Sequence, residues 1–284
     1  LPPGSLAVYF PTITGGSKTK AGTPVVGGSV VATTDNAKKA DIAGSWGWAV
    51  YALPFIEQQN LYNQLNPQGG NFPSGPTPET RTFLPSYACP SESSTELHYA
   101  YAMGGDGSAD GHARSSYVAV SGSGANADYA NNTLIGTKGM MYYNSYTNLR
   151  DVVDGTSNTM MVVERFWDGT NSEQRRGSIW AGRAPYSKSG SLEAGNKYSA
   201  LVRVENSPDW VINGNNNNSA ASTHAGQGQT TSGGSGDSGL IQRGGVGMNV
   251  LMGDGSVRFM GSNMSGATWQ LLGQMADGSP IGEF

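Results

Sequence analysis

The sequence predicts an α+β fold, in which a mostly antiparallel sheet packs on a helix and long loops rich in Gly, Ser and Asn cover the surface. Hydrophobic residues make up 37% of the chain and charged residues 13%, and Gly supplies 42 of the 284 residues. Average soluble domains hold about 45–50% apolar and about 25% charged residues, so this composition favours short strands and many turns. Residues 45–65 have the apolar spacing of a helix, whereas later segments read as strands.

The length and charge of the chain limit its class. We expect residues 1–284 to form a single domain, with a loop or hairpin excursion at 11–45 and a low-complexity loop insertion at 213–240. The formal net charge is −4. No basic block is present, which excludes the electrostatic footprint of a nucleic-acid-binding protein. No apolar run has the length that crossing a bilayer requires. We expect an N-terminal segment to precede Leu1, because the chain begins without an initiator Met.

The strongest helical pattern in the first half lies at residues 45–65. Ser45 is placed to cap the helix, and Pro54 is expected to kink or split it, because proline lacks the backbone N–H that an inner helical turn needs. The positions near helical spacing are Val50, Leu53, Ile56, Leu61 and Leu65.

Three later segments read as strands, at residues 115–122, 158–165 and 177–182. The second is apolar on both faces, which predicts a central position in the sheet. Glu164 is a charge inside this apolar strand, so we expect a structural ion pair here and not a catalytic acid. The candidate partners are Arg176, Arg183 and Arg258.

Residues 244–260 form the most clearly patterned stretch. Asp-Gly between apolar runs predicts a hairpin with a two-residue turn at Asp254 and Gly255. The Asp254 carboxylate should then accept hydrogen bonds from nearby backbone N–H groups or from a hydroxyl such as that of Ser256. This register places one apolar set on a single face: Met248, Val250, Met252, Val257 and Phe259. A short terminal helix is expected to follow, with an apolar stripe at Thr268, Leu271, Leu272 and Met275.

The segment 149–165 has an oxygen-rich centre. Asp151, Asp154 and Asn158 are hard ligands of the kind that calcium prefers, so they are candidate metal ligands. The alternative, which the pattern favours, is structural: one helical turn at 149–153, ended by Gly155 in the left-handed region. No other cofactor is indicated.

The sequence gives little support for catalysis, and we expect no enzyme. The stretch 236–240 resembles the surroundings of a serine-protease nucleophile, but the nearby His224 lies in the same Gly/Ser tract, which produces such matches by accident. His98 and His112 fall in Tyr/Gly-rich loops without the spacing of metal ligands. Cys89 is the single cysteine, so it is either a buried inert thiol, a reactive thiol or half of a bridge to an absent partner.

Several motifs together resemble one family, the prepilin-type proteins of unknown function with an N-terminal cleavage and methylation segment and a C-terminal H-x9-D-G motif. One departure from the family pattern is the Gly/Ser tract that separates His224 from Asp254. The segments that carry the resemblance, in chain order, are LPPG (1–4), SWGWAVYALPFIEQQNLYNQLN (45–66), SYACPSES (86–93), SSYVAVSGSG (115–124), KGMMYYNSYTNLRDVVDGTSNTMMVVER (138–165), IWAG (179–182), GGVGMNVLMGDGSVRFM (244–260) and WQLLG (269–273).

The resemblance implies a pilin-like soluble head and a structural or interaction subunit of a filament or secretion-associated assembly. A hydrophobic N-terminal helix, cleaved by a prepilin peptidase, would anchor the protein in the membrane or pack with other pilin-like subunits or copies of itself. The implied location is the periplasmic or extracellular side of a bacterial cell envelope. Cys89 would pair with a cysteine of that helix. The motif positions, read as structural, are His224, Asp254, Gly255, Cys89 and Glu164.

Two other functions remain open from the sequence. A surface module that binds glycans or another ligand would use exposed aromatic side chains such as Trp167, Trp180 and Tyr186. A secreted hydrolase would need a cluster of His, carboxylate and Ser side chains.

Overall fold

The described part of the chain contains one larger sheet, two small sheets and three α-helices. The computed structural model describes residues 1–2, 5–6, 45–69, 72–73, 76–91, 97–98, 111–123, 139–141, 145, 147–164, 178–183, 201–204, 247–261 and 264–281. The strands are β1 (Ser5–Leu6), β2 (Ser45–Gly47), β3 (Leu97–His98), β4 (His112–Ser115), β5 (Tyr117–Ser123), β6 (Met160–Glu164), β7 (Ser178–Ile179), β8 (Gly182–Arg183), β9 (Leu201–Val204), β10 (Gly247–Met252) and β11 (Val257–Gly261). The helices are α1 (Trp48–Ala52), α2 (Gln59–Leu65) and α3 (Gly266–Leu272).

The larger sheet has five strands in the order β11-β10-β6-β5-β9. The first four are antiparallel, and β9 is parallel to β5. β6 lies in the middle of the sheet, as its apolar sequence predicts. The α+β class is therefore confirmed, although the predicted excursions at 11–45 and 213–240 lie outside the described residues, apart from Ser45.

The N-terminal helical segment differs from the prediction in its start, whereas Pro54 divides it as predicted. Ser45 belongs to strand β2 and does not cap the helix; Gly47 occupies the N-cap without a side-chain hydrogen bond. A 3₁₀ turn at Leu53–Ile56 carries Pro54 in its first positions and separates α1 from α2. Pro54 therefore splits the segment, because its missing N–H is harmless only at the start of a helical turn.

The two N-terminal helices pack in a core of their own, which corrects the prediction that the sheet packs on this segment. We call this cluster the helix core. Within it the rings of Trp46 and Phe72 meet edge to face, with centroids 5.4 Å apart. The small sheets β1-β2-β8 and β3-β4-β7 contribute to it. Its buried residues are Trp46, Ala49, Val50, Leu53, Leu61, Leu65, Phe72, Leu84, Tyr87, Ala113, Ile179, Trp180 and Ala181.

One face of the five-stranded sheet packs on α3 and forms the α3 core. The predicted apolar stripe of this helix is confirmed at Leu272 but not at Thr268 and Leu271, which are half-buried. α3 buries Trp269 together with Leu272. Burying each of these large side chains contributes about 1.5–3 kcal/mol. The buried residues of the α3 core are Val118, Val120, Met160, Val163, Val204, Met248, Val250, Met252, Met260, Trp269 and Leu272.

Loop residues cover part of the opposite face of the sheet and form a third cluster, the loop core. Its buried residues are Ala119, Met140, Met141, Val152, Val162 and Met275. The predicted stripe placed Met275 on the helix. Met275 instead lies beyond the end of α3 and packs in the loop core. In the described residues no helix is long and apolar enough to cross a membrane.

The β10–β11 hairpin has a longer turn than the sequence predicted. Leu251 pairs with Val257, and Met252 donates to the Ser256 carbonyl at 2.9 Å, which leaves three residues in the loop instead of two. Three-residue loops with a glycine at positive φ are the next common hairpin class, and Gly255 has φ 87°. A change of one residue in register moves each side chain of one strand to the other face. Met260 is therefore buried with Met248, whereas Val257 and Phe259 leave the face predicted for them.

Candidate functional site

Three segments that contain most of the predicted site residues meet at one end of the sheet. They are the loop at 148–159, the hairpin turn at 252–256 and the tail at 275–279, which we call the loop–turn–tail cluster. The Asp254 N–H donates to the Thr156 carbonyl at 3.1 Å. The Asp154 N–H donates to the Met275 carbonyl at 3.3 Å. The fold thus brings together segments that are distant in the sequence.

Asp154 connects the loop to the tail. Its carboxylate accepts hydrogen bonds from the backbone N–H groups of Asp277, at 2.8 Å, and Gly278, at 2.9 Å. Gly278 has φ 72°, a conformation that glycine adopts readily. The tail therefore turns around this single carboxylate.

The other two candidate calcium ligands also bond to neighbouring groups. Asp151 accepts from the Asn148 N–H at 2.8 Å, and this bond is the main cause that lowers the pKa of the Asp151 carboxyl. Asn158 donates from Nδ2 to the Asp154 carbonyl at 3.2 Å. Among the residues that the structure describes, no three His, Cys, Asp or Glu side chains lie together as a metal site would need. What the geometry shows for Asp151, Asp154 and Asn158 is bonding within the loop and to the tail.

Asp254 and Gly255 form the hairpin turn. As predicted, the Asp254 carboxylate accepts from Ser256, at 2.9 Å from the backbone N–H and 2.7 Å from the hydroxyl. These two bonds are the main cause that lowers the pKa of the Asp254 carboxyl. The carboxylate therefore stabilises the turn that its own residue forms.

Glu164 is held by an amide and not by the guanidinium that the sequence predicted. Its two carboxylate oxygens accept from the Asn249 backbone N–H, at 2.7 Å, and from Asn249 Nδ2, at 3.2 Å. Arg258 pairs with Val250 in the sheet and so lies on the opposite face from Asn249. Arg176 and the side chain of Arg183 lie outside the described residues.

An exposed apolar surface lies on strand β11, and the sequence did not predict it. Val257 is 65% exposed and Phe259 is 59% exposed. They share a face with Leu251, which packs against the loop core. The loop core thus covers this face over β5 and β6 but leaves it open over β11. We call Val257 and Phe259 the β11 strip. A three-residue loop at Gly253-Asp254-Gly255 would have predicted from the sequence that the β11 strip is exposed.

Other predicted residues are placed differently from expectation. Trp180 is only 1% exposed and donates from Nε1 to the Thr82 carbonyl at 3.1 Å, so the prediction of an exposed ring for glycan binding is wrong. His98 and His112, expected in loops, lie in β3 and β4. Cys89 is half-buried, with Sγ 3.0 Å from the Ser91 hydroxyl. The candidates outside the described residues are His224, Trp167, Tyr186 and the stretch 236–240.

Comparison with known proteins identifies the family. A family model described as a protein of unknown function (DUF1559) matches residues 9–265, which is most of the chain. The chain belongs to this family. No curated protein and no solved structure matches the chain significantly.

The DUF1559 match contains two of the three segments of the loop–turn–tail cluster. The loop at 148–159 and the turn at 252–256 lie within it, together with the β11 strip. The tail at 275–279, which Asp154 holds, lies after the last matched residue. The family description assigns no activity or ligand to these segments.

Proposed function

We propose that this DUF1559 protein is a structural or interaction subunit, pilin-like or pseudopilin-like, of a filament or secretion-associated assembly. The bacterial cell envelope, on its periplasmic or extracellular side, is its proposed location, and no enzymatic activity is proposed. The resemblance of the motifs to prepilin-type proteins supports this function. The structural observation that carries it is the β11 strip, an apolar surface at the rim of a sheet face that the loop core covers in part.

The chemistry of the β11 strip favours an apolar partner. Val257 and Phe259 alternate along an edge strand of the described sheet and project from the same face. Covering the exposed part of each side chain would contribute roughly 1–2 kcal/mol. Edge strands with exposed apolar side chains are usually protected from other chains, so an open one is typical of an interaction surface.

We propose one occupant for the β11 strip, the hydrophobic N-terminal helix that the family resemblance implies, from the same subunit or a neighbouring one. Such a helix offers the long apolar stripe that Val257, Phe259 and the adjoining Leu251 would cover. Membrane attachment in this proposal occurs only through that helix. The other partners are pilin-like subunits, and no cofactor takes part.

Cys89 offers a second link between head and helix. In this proposal it forms a disulfide with a cysteine of the N-terminal helix in the oxidising envelope. Thiol titration of the denatured full-length protein, purified without reductant, tests the bridge. Recovery of two free thiols from the native compartment would exclude it.

Electron microscopy of the full-length gene product tests the proposed function. Filaments or assemblies in material sheared from the native cells are the expected result. The double variant Val257→Ser/Phe259→Ser should reduce assembly at least tenfold, because it removes the apolar strip. Phe55→Ser is the matched control: Phe55 is 87% exposed, but it lies between the N-terminal helices.

The contrary result is a wild-type protein that stays monomeric, or a double variant that assembles as the wild type does. Glycan binding is the alternative outcome. It would use Trp167 and Tyr186 but not Trp180, which is buried in the helix core. Binding of the monomeric wild type to a glycan array, without assembly, would favour that alternative.

A further inference from the structure

His112 lies in the helix core as a buried ring without polar partners. Its side chain is 1% exposed, and it packs on Phe72 with ring centroids 4.9 Å apart. Within the described residues neither ring nitrogen has a hydrogen-bond partner. A neutral imidazole tolerates such a place at a moderate cost, whereas a charged imidazolium without partners does not.

The same strand carries a buried cation, Arg114. Arg114 is two residues further along β4, so both side chains lie on the same face of the strand. The Arg114 guanidinium lies 5.6 Å from the centre of the Phe83 ring and donates to the Ser116 hydroxyl at 3.1 Å. Arg114 is thus engaged by neighbours of its own, and burial of the His112 ring is what disfavours a proton there.

The segments packed on β4 add few other titratable groups in the described part. His98 of β3 is the residue paired with His112. The loop at 76–84 bonds to β4 through Ala113 N–H and the Thr80 carbonyl, at 2.8 Å, and it carries Glu79 and Arg81. Residues 72–73 and strand β7 carry none.

We propose that His112 is an acid-sensitive lock on the helix core: protonation of its ring opens this core while the five-stranded sheet stays folded. The buried residues of the helix core and the α3 core are separate sets. Among the described residues, the half-buried Trp48 alone packs against both the helix core and the loop core. Opening of the helix core therefore leaves the main contacts of the sheet with α3 in place. This inference is independent of the proposed function.

The direction of the pH effect follows from burial. Burial lowers the pKa of His112 to about 4, from an ordinary value of 6.5. The open state thus binds a proton more readily than the closed state, so stability is complete above pH 6.5 and falls as the pH decreases toward 4. At pH 5 these two pKa values favour opening by about 30-fold relative to pH 7.5.

Hydrogen exchange measured by mass spectrometry, corrected for the intrinsic pH dependence of exchange, tests the lock. Between pH 7.5 and 5, peptides covering residues 46–65 and 112–116 should open about 30-fold more often, whereas peptides covering 247–261 should not change. His112→Met, an apolar residue of similar size, should remove the pH dependence of the helix core. His112→Gln serves the same purpose if the Met variant does not fold, because Gln also has no titration in this range.

His224→Gln is the matched control, since it removes a histidine from the 213–240 tract and should leave the pH effect intact. The lock is refuted if the wild-type helix core shows no pH dependence or if the five-stranded sheet opens with it. It is also refuted if His98→Gln abolishes the effect and His112→Met does not, because the titrating group would then be His98.

Discussion

Gly255 shows how backbone conformation alone can constrain a residue. Its φ of 87° lies in the region that favours glycine, and a Cβ built there would meet no atom within 4 Å. Gly255→Val should therefore lower the free energy of unfolding by about 1–3 kcal/mol through strain, since β-branched residues are poorest at positive φ. Urea denaturation measures this loss.

Two variants of the same turn control for that effect. Gly255→Asn should lose less than the Val variant, because Asn tolerates positive φ better than other non-glycine residues. Asp254→Asn should lose less than about 1 kcal/mol, because it keeps an acceptor for Ser256. If Asp254→Asn proved more damaging than Gly255→Val, the carboxylate would have a role beyond the turn.

Asp154 should matter more than its neighbour Asp151. Asp154→Ala removes two hydrogen bonds from the backbone N–H groups of the tail to a carboxylate, and we expect a loss of about 1–3 kcal/mol in the free energy of unfolding. Asp151→Ala is the control, because Asp151 lies at the surface and bonds within its own turn. Thermal melts with and without chelator measure both losses.

The chelator separates the hydrogen-bonding role of Asp154 from calcium binding. If Asp154 acts through hydrogen bonds, chelator leaves the melting temperature of the wild type unchanged. A melting temperature that falls with chelator in the wild type, but not in Asp154→Ala, would instead show a bound cation.

At the scale of elements, α3 can approach the sheet only because its last turn is followed by glycine. A Cβ on Gly273 would clash with Val204 Cγ2 of β9. Gly273→Ala should therefore displace α3 and cost about 1–3 kcal/mol, as overpacking does. Calorimetric unfolding measures the change.

A double-mutant cycle identifies the cause of that loss. Val204→Ala removes the clashing methyl groups, so adding it to Gly273→Ala should cost less than the sum of the two single changes. Additive losses would show that the Val204 contact is not the reason. Gly278→Ala is a control for backbone conformation, since its φ is 72° but a Cβ there meets nothing within 4 Å.

The sequence predicts the types of several elements better than their packing. The segment 158–165 is apolar on both faces, which predicts a central strand, and β6 lies at the centre of the sheet. The register of β11 was not predicted, because two loop lengths agree with Asp254-Gly255 and they place Phe259 on opposite faces. The core of α1 and α2 was missed for a different reason. It depends on Phe72 and Trp180, whose contacts come from distant parts of the chain.

The candidate site was predictable in its residues but not in its arrangement. Asp254 with Ser256 is a local interaction, so the turn chemistry could be derived from the sequence. The bond of Asp154 to the tail spans 123 residues, and no local pattern indicates it. Glu164 was correctly expected to need a partner, but that partner is the amide of Asn249, which the pattern of charges does not reveal.

At the scale of the whole molecule, the three cores leave one face of the larger sheet incompletely covered. α3 covers one face, and the loop core covers the other over β5 and β6. Val257 and Phe259 remain exposed at its rim. A subunit whose head packs on an apolar helix in an assembly requires a surface of this kind, whereas an independent globular protein would be more soluble without it.

Site-specific photo-cross-linking in native cells tests most directly whether the β11 strip packs on an apolar helix of the assembly. A photoreactive phenylalanine analogue would replace Phe259 in the full-length protein, and a second protein carrying it in place of Phe55 is the control. We expect cross-links from position 259 to peptides of the hydrophobic N-terminal helix, of the same or a neighbouring subunit, and none from position 55. Equal cross-linking from both positions, or none from position 259 in cells that contain the protein, would contradict this function.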